Sequence, residues 1–189
     1  MTDVPALYRR AIDEFDRRVQ AVGEGQWHDS TPCTDWDVHD LVNHVVNENM
    51  WVVPLLEGKT IADVGSALDG DLLGDEPKTV WSTSAQEGLQ AARAEGAMER
   101  TVHLSFGDAT GADYVSQVLA DHVIHSWDLA RGVGADEQLD PELVDFALAT
   151  LGPQVVAWRN AGAFGEEVEV DPGADPQTKL LAMTGRRRS

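Results

Sequence analysis

The chain has 189 residues, with 33 acidic against 14 basic side chains, a formal charge of -19 and a pI near 4.4. A surface this negative repels phosphate backbones and anionic lipid headgroups, which argues against nucleic-acid binding and membrane association. A hydrophobic content of 42% is enough to bury one core, and the single cysteine, Cys33, excludes an intrachain disulfide and fits a reducing cytoplasm.

The opening stretch "MTDVPALYRRAIDEF" lacks the basic-then-apolar pattern of a secretory signal, and no eighteen apolar residues run together, so a cytoplasmic chain is expected. In "VPALYRRAIDEFDRRVQAVG", Leu7, Ile12, Phe15, Val19 and Val22 recur at helical spacing, with Gly23 as a stop. "DSTPCTDW" reads as a turn-rich loop. Residues 37–57 form a second predicted helix, capped by Asp35 or Asp37 and kinked or ended by Pro54. Residues 58–78 are rich in Gly and Asp and read as a loop with a short helical turn. A third helix fits "STSAQEGLQAARAEGA", with Ser82 or Ser84 as cap, and "RTVHLSFG" alternates like a short strand.

A fourth helix covers "DATGADYVSQVLADHVIHSWDLARG" and ends at Gly132. "DPELVDFALATLGPQVVAWRNAG" gives a fifth, with Asp140 as cap, Pro141 at its first position and a break at Gly152–Pro153. "EEVEVDP" suggests a brief strand and "DPQTKLLAMTG" a last short helix. The terminal basic run "GRRRS" reads as solvated. The count of four or five helices with short connections predicts a mainly α fold around one core.

Chemistry-bearing residues gather in the fourth helix. Asp121 and His125 are four apart, one turn on nearly the same face, with Tyr114, Val118 and Leu129 on that side. A carboxylate in such a layer needs a neutralising partner, which His125 or a divalent cation would supply. His122 lies about 60° round the helix from that line. On the second helix, His44, Glu48, Trp51 and Leu55 share a narrow arc beside the apolar face of Val38, Leu41, Val42, Val45, Val52 and Leu56. If the two helices pack, His44 meets Asp121 and His125. Two imidazoles and a carboxylate suit Zn2+ or Ni2+ and leave coordination positions open for water or substrate. The bland alternative is a set of solvated or singly paired histidines.

"STPCTDWDVHDLVNHVV" and "HVIHSWDLARGVG" resemble the two signature stretches of the mycothiol-dependent maleylpyruvate isomerase N-terminal domain group, and "FGEEVEVDPGADPQTKLLAMTGR" resembles the tail of a subset of its actinobacterial members. The resemblance spans nearly the whole chain. It implies a DinB-like up-down four-helix bundle with minor short β-strands and an extra C-terminal helix, as a single domain over residues 1–189. It also implies metal ligands at His44, Asp121 and His125. The isomerase itself carries glutamate where this chain has Asp121, and has a second domain that this chain is too short to hold.

What the resemblance implies for function is a metal- and thiol-dependent isomerase or S-transferase. The cofactors would be Zn2+ or Ni2+ with mycothiol or a similar thiol, the substrate a small electrophile, and the assembly a homodimer. The competing reading is a non-catalytic metal-binding or stress-response module. Among the other residues, Cys33 is expected to pack, and Trp51 and Trp127 to sit in the core. Asp128 would either orient a ligand histidine or accept from the next helix. Glu48 would be an extra ligand, a general base or a paired flank carboxylate. His28, His39 and His103 lack convincing partners, and Arg131 is out of phase with the Asp121–His125 line.

Overall fold

The computed structural model describes residues 2–188. Helix α1 (Val4–Ala21) starts at Asp3, whose carboxylate accepts from the Ala6 N–H, and it turns Leu7, Tyr8, Ala11, Ile12, Phe15 and Val19 inward. Helix α2 (Val38–Leu56) opens with a reciprocal cap between Asp37 and Asp40 and has Pro54 in its last turn. Between α2 and the next long helix lies one turn, α3 (Ile61–Val64), capped by Thr60. Helix α4 is Pro77–Ala92. Strands β1 (Thr101–Leu104) and β2 (Gly107–Thr110) form an antiparallel hairpin with Thr101 opposite Thr110. Helix α5 (Gly111–Val133) is capped by Thr110 and closes on Gly134, whose φ of 71° is the left-handed geometry of a helix C-terminus. Helices α6 (Pro141–Leu151), α7 (Val155–Asn160) and α8 (Pro176–Met183) complete the chain.

The long helices α1, α2, α4 and α5 form the expected four-helix bundle, but their directions, fixed by close contacts, are not the simple up-down alternation expected. Leu56 of α2 lies against Gly111 at the start of α5, and Val38 lies against Gly132 near its end, so these two run oppositely. Trp81 of α4 reaches Asp16 of α1, while Gly88 abuts Tyr8, so that pair also runs oppositely. The segment 57–76 carries the chain back along the bundle so that α2 and α4 point the same way. Its path is held by Asn43, which bonds both Gly70 and Leu72. Trp81, Trp127, Tyr8, Phe15, Leu41 and Leu119 are fully enclosed between the helices. Helix α6 packs on the outside of α5, and α8 packs on α6.

Several local expectations are corrected. The third long helix starts at Pro77 and not at Ser82 or Ser84; Ser84 is buried mid-helix and its hydroxyl donates to the Trp81 carbonyl. Proline at the first helical position costs no hydrogen bond, which is why this start was hidden in a Pro- and Gly-containing stretch. Residues 108–110, expected as helix, pair with β1, and the single strand is a hairpin. "EEVEVDP" alternates but forms no strand among the described residues; the Val168 N–H donates to Ala182 beside α8 instead. As expected, the fifth helix breaks at Gly152–Pro153 into α6 and α7, because Pro153 cannot continue the ladder. No described helix is long and apolar enough to cross a membrane.

Candidate metal centre

Opposed packing of α2 and α5 puts His44 beside Asp121. The His44 Nε2 lies 3.1 Å from Asp121 Oδ2, and His125 Nε2 lies 3.4 Å from Asp121 Oδ1. One ligand atom from each of the three falls within 4.8 Å of the other two. The imidazoles meet edge to face, with ring centroids 5.0 Å apart. His125 is buried, whereas His44 and Asp121 are about a quarter exposed, so the cluster opens to solvent on one side.

Asp121 titrates well below the usual carboxylate range. Burial pulls it upward, but the charges of His125 and His44 and their hydrogen bonds outweigh that. His125 is the counterpart. Burial would lower it, and the Asp121 charge with contacts to Asp121, Asp128 and Cys33 raises it well above normal. Glu48, one turn beyond His44, is pushed up to about 7 by burial and by Asp121, against the opposing pull of His44 and His125. Glu48 therefore lies within electrostatic reach of the cluster.

Behind His125 lie Asp128 and Arg186. His125 Nδ1 donates to Asp128 Oδ2 at 2.9 Å, and Arg186 grips the same carboxylate with Nη2 at 2.8 Å and Nε at 3.2 Å. Asp128 is held at about 2: burial raises it, and the Arg186 charge and the His125 bond lower it further than that. Of the two roles open for Asp128, orienting His125 is the one the contacts describe. The basic run at the C-terminus is thus not all solvated: the Arg186 side chain is largely buried against Asp128, while Ser189 lies outside the described residues. Cys33 is half-buried, as expected of a packing residue, yet its thiol lies 3.4 Å from Asp128 and 3.6 Å from Arg186.

Trp36 was also missed. Its ring stacks obliquely on His44 at 4.7 Å and on His125 at 5.7 Å, so it walls one side of the cluster. It belongs to the loop "TPCTDW", where helical phase gives no signal. Trp127 is core and Trp51 is partly buried against it. His122 points away from the cluster into a cage of Tyr8, Trp81 and Phe15, with Nδ1 on the Val118 carbonyl at 2.8 Å. Burial depresses it to about 4, so it is neutral at pH 7. The histidines expected to lack partners have them: His28 meets Asp37, His39 meets Asp71 and His103 meets Asp108 across the hairpin. Arg131 pairs with Glu137 over the Trp127 ring.

A helical bundle with a histidine–carboxylate cluster between two opposed helices defines a protein of the DinB-like maleylpyruvate isomerase fold. Residues 8–130 match the sequence profile of the mycothiol maleylpyruvate isomerase N-terminal domain, and the chain belongs to that family. It is 30% identical over 184 residues to uncharacterized proteins from two strains of Mycobacterium tuberculosis, covering 95% of each chain. It is similar in fold to crystal structures of the mycothiol-dependent maleylpyruvate isomerase and of a mutant of that enzyme. Each superposes with a TM-score of 0.65 over 88% of this chain and 73% of the other, at 17% and 16% identity.

Proposed function

We propose that this protein is a divalent-metal- and thiol-dependent isomerase or S-transferase acting on a small electrophile, with His44, Asp121 and His125 as metal ligands. The observation that carries the reading is the convergence of those three side chains from α2 and α5. The donor set fits the ion: two imidazole nitrogens and one carboxylate oxygen are what Zn2+ or Ni2+ accepts, and three protein donors leave room for an exogenous ligand. Mycothiol is the thiol favoured by the family to which the chain belongs. We take residues 1–189 as one domain, supported by the packing of α6 on the bundle and of α8 on α6.

When bound, the ion supplies Lewis acidity that favours thiolate over thiol at neutral pH. The rest falls to the chain. Asp128 and Arg186 hold the His125 ring so that Nε2 faces the cluster. Trp36 covers both imidazoles and limits water at that side. Glu48 takes the thiol proton on its carboxylate, for which a titration near neutrality is suited.

A non-catalytic metal-binding module is the competing reading, favoured by the aspartate at position 121 where the isomerase that the chain resembles carries glutamate. The deciding experiment uses untagged protein. About one equivalent of Zn2+ or Ni2+ at the buried cluster, lost in His44→Ala, supports the centre. Mycothiol-dependent turnover of maleylpyruvate or a model electrophile, also lost in His44→Ala, supports the enzyme. Metal uptake without turnover leaves the binding module, and no uptake at the cluster overturns both.

A further inference from the structure

We propose a second cation site on the surface, built on Asp37, His39 and Asp40 with His28 and Asp71 paired to its rim, that takes a borderline divalent ion such as Zn2+ or Ni2+. Three segments meet there: the loop after α1, the first turn of α2 and the 57–76 crossover. Asp37, His39 and Asp40 each bring one ligand atom within 4.8 Å of the other two. His28 Nδ1 lies 2.9 Å from Asp37 Oδ2, and His39 Nε2 lies 3.6 Å from Asp71 Oδ1. The His28 and His39 rings stack at 26° with centroids 6.3 Å apart, so two imidazoles from separate segments face one patch.

This cluster shares no residue with the buried one. His39 precedes His44 by five positions, which turns it about 140° round α2. Capping accounts for part of it: Asp37 Oδ1 accepts from the Asp40 N–H, and Asp40 Oδ2 accepts from the Asp37 N–H. Capping does not account for two histidines or for Asp71. Three carboxylates on one patch of a chain charged -19 repel each other, and a cation relieves that. The α2 dipole opposes a cation at this end only weakly, by less than three carboxylates return. Imidazole with carboxylate selects Zn2+, Ni2+ or Cu2+ over Mg2+ and Ca2+. The His28 side chain is 83% exposed, so the site is open, fast-exchanging and weaker than the buried one. Its physical effect is a clip: Asp71 follows Gly70, which Asn43 already holds, so a shared ion ties the crossover to the bundle.

Zinc titration by calorimetry with metal analysis tests this. Wild type is expected to bind two equivalents, the weaker retained in His44→Ala and abolished in His39→Ala; His28→Ala weakens it at least tenfold. Hydrogen exchange at residues 66–73 slows with Zn2+ in wild type and in His44→Ala but not in His39→Ala. Unchanged circular dichroism without metal shows that the variants fold. One equivalent in wild type that is lost in His44→Ala and kept in His39→Ala overturns the proposal, as does a second equivalent that survives both His28→Ala and His39→Ala. One equivalent kept in His44→Ala and lost in His39→Ala supports the surface site and removes the buried one.

Discussion

His125 is fixed from behind by Asp128: Nδ1 donates to Oδ2 at 2.9 Å, which aims Nε2 at Asp121, and Asp128 is clamped in turn by Arg186 from 58 positions along the chain. A histidine held this way is pre-oriented, and where it serves as a metal ligand, loss of such support costs roughly 10–100-fold in metal affinity. Arg186→Gln and Asp128→Asn are therefore each expected to weaken Zn2+ binding at the buried cluster by about that factor. Competition with a chelator of known affinity measures it. Unchanged affinity in folded variants removes the clamp from the account of the centre.

On the proposed mechanism, Glu48 is where metal binding and proton transfer can be told apart. Removing a general base lowers rate by roughly 10²–10⁴-fold without removing a ligand. Glu48→Gln should keep the metal content of wild type and lose thiol-dependent turnover by that factor, read as kcat against metal stoichiometry. Loss of metal in parallel with rate would make Glu48 a ligand instead.

The junction between α4 and α5 admits no side chain at its tightest point. A Cβ on Gly111 would fall 2.0 Å from the Ala97 carbonyl oxygen and 3.1 Å from Leu56 Cδ2. Both Ala97 and Leu56 are buried, so neither can retreat cheaply. Gly111→Ala should cost about 3 kcal/mol, the upper end for overpacking, seen as a lower urea midpoint at unchanged slope. Gly25→Ala, with nothing within 4 Å of the added methyl, should stay within about 0.5 kcal/mol.

The parts legible in the sequence were those where apolar spacing runs uninterrupted. Helices α2 and α5 are long, and their phases place His44, Asp121 and His125 on facing sides before any coordinates are known. Helix α4 starts about two turns earlier than its sequence suggests, because its start is marked by Pro77 and Glu76 and not by a hydroxyl cap. Trp36 and Cys33 lie in a loop, where no period reports orientation. Arg186 was hidden because a terminal basic run has the composition of solvated tails; only α8 packing against α6 brings it to Asp128. The surface histidines show the same limit, since His39 meets Asp71 only through the path of the crossover.

His122 makes the core acid-sensitive. It is fully enclosed by Tyr8, Phe15 and Trp81, and burial holds it at about 4 against an unfolded value near 6.5. Its folded value is depressed, so folding favours the neutral ring. The contribution is complete above the unfolded value and is lost as pH falls from about 6.5 to about 4, because the unfolded chain takes up the proton first. At about 1.4 kcal/mol for each unit, the full loss is about 3 kcal/mol. His122→Gln cannot titrate, so the difference in unfolding free energy between wild type and variant should change by that amount between pH 7 and pH 4. Urea melts across this window check it, and a difference that is flat with pH would show that the buried ring is not titrating as its cage requires.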